Sequence, residues 1–154
     1  MIKIHILVAS AFLLASAATQ AVEITKEGLV GLKRAADSCV QTFPRLLVDL
    51  SSAKGELKAV LATGKDVSKL SAADKLIYDE TEKLVKACNV ARLGHEAALK
   101  NFMAMSAGPK PAQDVLDELH SLDDKMKSVN DAIGDAVKKS PDVAGILHRI
   151  LKGH

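Results

Sequence analysis

Residues 29–60 read LVGLKRAADSCVQTFPRLLVDLSSAKGELKAV, and their apolar positions decide the fold. Leu29, Leu32, Ala36, Cys39, Phe43, Leu46, Leu50, Ala53, Leu57 and Val60 follow one another in strictly alternating steps of three and four. Such steps place every member on one stripe of an α-helix, the pattern of a helix packed against other helices. Pro44 falls inside the run, where it removes one backbone donor and crowds the Val40 carbonyl, so the helix is expected to kink there or split nearby. Ser51-Ser52 and Gly55 offer a second breaking point.

The same spacing recurs downstream. Residues 64–70 read as a connection, after which Ser71 supplies an N-cap with Asp74 three positions on. The second stripe is Ile77, Thr81, Leu84, Cys88, Ala91, His95, Ala98, Phe102 and Met105. Residues 107–111, rich in Gly and Pro, form a turn. A third stripe follows: Val115, Leu119, Leu122, Met126, Val129, Ile133 and Ala136. Ser140 and Pro141 then suit the cap and first position of a short last helix, whose apolar face is Val143, Ile146, Leu147, Ile150 and Leu151. Val40, Leu47, Leu61, Val85, Leu99, Leu116 and Val137 widen the stripes beyond a two-stranded coiled coil. The expected fold class is all-α: an antiparallel helical bundle of three long helices plus a short C-terminal helix, with one inter-helix disulfide.

That disulfide joins Cys39 and Cys88, the only two cysteines, which sit on the apolar stripes of two neighbouring helices. It would close a loop of about 50 residues and contribute roughly 4 kcal/mol by restricting the unfolded chain. Register sets a condition on it. Straight helices joined by a short symmetric loop would place Cys39 opposite residue 94, about 9 Å past Cys88 at ~1.5 Å per residue, which is too far for a disulfide. The pairing therefore predicts a register shift, from a Pro44 kink or from an asymmetric connection.

At the N-terminus, Lys3 precedes an apolar run from Ile4 to Ala15 and then small residues through Ala21, the order of charge, core and cleavage zone in a secretory signal. We expect residues 1–21 to be a signal peptide and 22–154 a single secreted, extracellular domain. The run is too short for a membrane span, so no integral span is expected after cleavage. Signal removal leaves 133 of the 154 residues, enough for one core. Lys3 leaves with it, so the formal charge of +2 falls by one. Near-neutrality without a basic stripe argues against a nucleic-acid partner. Stacking platforms are scarce too, because past the signal the aromatic residues are Phe43, Tyr78 and Phe102, with no Trp.

Few residues suggest chemistry. His95 is the titratable side chain on a stripe, either a partly exposed histidine bonded to a backbone carbonyl or a polar contact for a ligand. Asp117, His120, Asp123 and Asp124 project from the third helix, but the Glu-x-x-His pairs of di-metal bundles do not occur, and a solvated face accounts for them better than a metal site. Phosphate loops, HExxH and GxSxG are also missing, and cysteines held in a disulfide cannot act as nucleophiles. No enzymatic activity and no cofactor is expected. Phe102, Met103, Met105 and Met126 bring large, adaptable side chains to stripes that also carry alanines, so with His95 they are the candidate ligand-binding residues if the bundle encloses a void. The basic segment 148–154 reads as the end of the last helix, its cations complementing the helix dipole.

Secreted helical-bundle proteins of saliva, venom or haemolymph are similar in general form, a likeness that identifies no residue. The expectation drawn from the residues is a secreted, non-enzymatic protein that engages an extracellular protein through exposed helix faces. A carrier of a small apolar ligand or lipid, or a self-assembling extracellular structural protein, is the alternative.

Overall fold

A computed structural model describes residues 24–105 and 108–153. The expected signal, residues 1–21, lies outside the described residues. Five α-helices and one short turn of 3-10 helix follow in order: α1 (Lys26–Ser52), α2 (Gly55–Thr63), the 3-10 turn (Val67–Lys69), α3 (Ala72–Ala104), α4 (Gln113–Lys139) and α5 (Asp142–Lys152). The described residues contain no strand, and the helices pack as the expected all-α bundle.

Local chemistry sets the helix ends. The Gly28 amide donates to the Thr25 hydroxyl at 3.2 Å and starts α1. At the start of α3 the Ser71 hydroxyl accepts the Asp74 amide at 3.1 Å and donates to the Asp74 carboxylate at 2.8 Å, which is the cap expected from the sequence. The last helix differs from expectation: α5 begins at Asp142, on backbone bonds from Val143 to the Ser140 carbonyl and from Ala144 to the Pro141 carbonyl.

Pro44 does not split the first helix, contrary to one of the expectations above. α1 runs unbroken across it, with Pro44 itself exposed and Phe43, Leu46 and Leu47 buried around it. Packing of that apolar face holds the helix despite the missing donor, because burial outweighs one lost backbone bond. The break comes after Ser52, where Lys54 is extended (φ −134°) and Gly55 takes φ +58°, a left-handed value that glycine tolerates without a Cβ clash.

The chain forms two compact units, and α1, α3 and α4 contribute to both. The first comprises residues 24–40 and Ala87–Ser128. In it α3 runs antiparallel to α1: Cys39 is bonded to Cys88, with Cα atoms 5.5 Å apart, and Leu32 lies against Gly94. α4 runs parallel to α1, as the pairs Lys26–Asp114 (3.0 Å), Lys33–Glu118 (2.5 Å) and Asp37–Lys125 show. Leu29, Leu32, Ala36, Ala91, Ala98, Leu119, Leu122 and Met126 fill the interior.

Cys39 thus faces Cys88 and not residue 94, so the register shift that the disulfide required is present. Between the two long helices, from Ser52 to Ala72, the chain makes α2 and the 3-10 turn in place of a short loop.

The second unit comprises Gln41–Lys86 and residues 129–153. Here α2 packs on α5, with Lys58 paired to Asp142 at 2.5 Å, and Leu57, Val60, Leu61, Val143, Ile146, Leu147 and Ile150 are buried. The inward face of α3 departs from the expected stripe. Ile77 is 38% exposed and Leu84 half-buried, while Tyr78 and Val85 take the interior positions. The reason is visible at Tyr78, which buries its ring while its hydroxyl reaches polar partners on α3 and α5. Leu151, expected on the apolar face of α5, is exposed.

Candidate functional site

The second unit carries an open groove between α1 and the first half of α3, with a volume of about 710 Å³ and Ile77 in its lining. Leu46, Leu57, Ile77 and Leu84 supply its apolar lining. Arg45, Asp49 and Lys54 line it from α1 and the residues that end α1, and Asp74 and Glu80 line it from α3. Arg45, Asp49, Lys54 and Glu80 lie on the surface, and among the described residues none of them forms an ion pair. Asp74 is partly committed, since it accepts the Ser71 hydroxyl. Two large apolar side chains next to lining residues in the sequence, Val48 (65% exposed) and Leu76 (71%), also face water.

A polar cluster in the same unit ties α5 to α3. Arg149 donates through Nη1 to Glu82 at 2.9 Å and to the Tyr78 hydroxyl at 3.3 Å, while Tyr78 donates to Glu82 at 2.7 Å. The guanidinium also lies over the Tyr78 ring, 5.6 Å from its centre. Lys86 reaches the other Glu82 oxygen at 3.1 Å. Burial by itself raises the Glu82 carboxyl, but hydrogen bonds from Tyr78, Arg149 and Lys86 outweigh it, and Glu82 titrates at about 2 instead of 4.5. Tyr78 is raised, first by burial and then by donating to Glu82. Nε and Nη2 of Arg149 are buried with no hydrogen-bond partner among the described residues. The cluster fastens a helix, with Glu82, the Tyr78 hydroxyl and Nη1 of Arg149 bonded to one another.

In the first unit, His95 is buried and its Nε2 meets the Asp123 carboxylate of α4 at 3.0 Å. The expectation of a partly exposed histidine on a backbone carbonyl is corrected here: the α3 stripe faces α4, which offers a side-chain carboxylate. The other candidate ligand residues differ in exposure. Met126 is packed in the core at 3% exposure, Phe102 and Met105 are half-buried near the end of α3, and Met103 points to solvent at 72%. None of these five lines the groove. Asp117 accepts from Gln113, and among the described residues no three His, Cys, Asp or Glu side chains converge as metal ligands would. Cys39 and Cys88 are joined to each other, so neither thiol is available as a nucleophile.

No protein-family model, curated protein or solved structure matches the chain. The residues themselves therefore carry the functional reading. Heptad counting passed over the groove because it set Ile77 on the core stripe. Tyr78 and Glu82, one turn apart, and Arg149 beside the buried Ile150 were the signals for the polar cluster, since a charged residue adjoining an apolar stripe often pairs across helices.

Proposed function

We propose that this is an extracellular, non-enzymatic protein that acts by docking another protein in the groove between α1 and α3. The observation that carries the reading is the groove itself, where Leu46, Leu57, Ile77 and Leu84 lie among polar side chains and among the charges of Arg45, Asp49, Lys54 and Glu80, which form no ion pair among the described residues. Protein interfaces combine apolar and polar side chains, and Val48 and Leu76, next in the sequence to lining residues, add exposed apolar surface to the same helices. The core elsewhere supports a rigid scaffold: Ala36, Leu61, Ala91, Leu122 and Val143 are all at 0% exposure. The extracellular part of the reading is supported by the Cys39–Cys88 disulfide, which persists in oxidising compartments, and by the signal pattern in residues 1–21. No described helix is long and apolar enough to cross a membrane.

None of His95, Phe102, Met103, Met105 and Met126 lines the groove, so the groove supports docking ahead of the carrier alternative. A photo-cross-linking amino acid at Glu80, in the groove, and another at Lys127, on an exposed stretch of α4, separates docking from non-specific contact. In the fluid into which the protein is secreted, the Glu80 probe is expected to give one dominant protein adduct and the Lys127 probe none. Equal labelling from both positions rules the reading out.

A further inference from the structure

We propose that the element seated in the groove is an amphipathic α-helix of the partner, carrying acidic residues on the flank that faces α1 and basic residues on the flank that faces α3. This rests on the docking reading above and names what docks. Three observations lead to it. The first is length: the helical part of the α1 wall, from Gln41 to Ser52, and the α3 wall, from Asp74 to Leu84, each span about 15–17 Å at ~1.5 Å per residue, close to three turns of a single helix. The second is shape, since a groove between two helices offers one more helix the packing that bundles use, its apolar stripe seated on Ile77 and Leu84.

Charge supplies the third. Arg45 and Lys54 stand on the α1 side, and Asp74 and Glu80 on the α3 side. Elsewhere in the fold, helices are joined by charge pairs such as Lys33–Glu118, Asp37–Lys125 and Arg149–Glu82. Arg45, Lys54 and Glu80 line the groove and form no ion pair among the described residues, which leaves them available to the complementary charges of a partner. Asp49, between Arg45 and Lys54, refines the pattern: the acidic flank carries its carboxylates toward its two ends, about nine residues apart, with a neutral or basic residue between them. A helix with one acidic and one basic flank satisfies both walls in a single orientation along the groove, which fixes its direction.

Three synthetic 18-residue helical peptides test this against the oxidised, full-length secreted chain at low salt. All share one Leu/Ala stripe; the first has Glu on one flank and Lys on the other, the second Lys on both, the third Glu on both. The mixed-flank peptide is expected to bind at least tenfold more tightly than either of the others. Replacing Arg45 and Lys54 together by Glu makes both walls acidic and moves the preference to the all-Lys peptide; both positions are exposed, and circular dichroism checks that the variant is folded. Equal binding of the three peptides, or a preference that the double variant leaves unchanged, overturns the proposal. Concentration-dependent self-association that the double variant abolishes also overturns it, because a second copy of the chain then fills the groove. If no peptide binds while the Glu80 probe still captures a protein, the helix is refuted and the docking reading stands.

Discussion

Gly94 of α3 lies directly against Leu32 of α1, so close that a methyl group added at Gly94 would overlap the Leu32 side chain. The contact sits between the Cys39–Cys88 bridge and the far end of the same helix pair, and it lets α1 and α3 approach in the register that the bridge demands. Gly94→Ala is expected to destabilise the protein by about 1 kcal/mol: overpacking costs roughly 1–3 kcal/mol, and the better helix propensity of Ala returns about 1. In a Leu32→Ala background the overlap is gone and the same substitution becomes stabilising. Urea midpoints of the four proteins give the cycle, and a Gly94→Ala effect of the same sign in both backgrounds refutes the close contact.

Reducing the disulfide should lower stability by about 2–4 kcal/mol, the range for a crosslink closing a loop of this size. Denaturation with and without dithiothreitol measures it. Indistinguishable midpoints would mean that packing alone sets the α1–α3 register.

Glu82 makes stability depend on acid. Its carboxyl titrates at about 2 in the folded protein and near 4.5 when unfolded, so its contribution is complete above about pH 5 and drains away as the pH falls toward 2. Glu82→Gln should flatten the loss of stability across that window and lower stability at pH 7. It leaves the Arg149 guanidinium, 9% exposed, without its anion. Stability curves from pH 7 to pH 2 that run parallel for wild type and variant would contradict the assignment.

Pro44→Ala should stabilise α1, because it restores a backbone donor at an exposed position that the helix already passes through. A gain on the order of 1–3 kcal/mol follows from the helix propensities of the two residues. A loss of stability would show that Pro44 shapes the helix in a way the native packing needs.

Much of the fold was legible because burial along a helix repeats at a period that a sequence displays. Every residue from Leu29 to Leu50 on the first stripe is buried, and the Ser71–Asp74 cap forms as its spacing indicated. Two kinds of information were not local. Pro44 reads as a breaker by itself, yet the buried Phe43, Leu46 and Leu47 hold the helix through it. Ile77 and Tyr78 are both apolar enough for an interior, and what selects Tyr78 is Arg149, 71 residues away in the chain. The groove takes its lining from α1, α3 and the residues between them, so it could not be read before the helices were placed. Gly94 had a local signal, since Ala91, Gly94 and Ala98 put three small residues on one face of α3, the composition that lets two helices come close.

The central claim is that the groove docks a protein, and a matched pair of surface substitutions tests it most directly. Ile77 (38% exposed) lines the groove, whereas Leu93 (46% exposed) lies on α3 in the other unit. Oxidised wild type, Ile77→Arg and Leu93→Arg, each immobilised and exposed to the same extracellular fluid, should differ in one way. Wild type and Leu93→Arg are expected to retain the same protein in near-stoichiometric amount and Ile77→Arg to lose it; equal retention by Ile77→Arg would contradict the account.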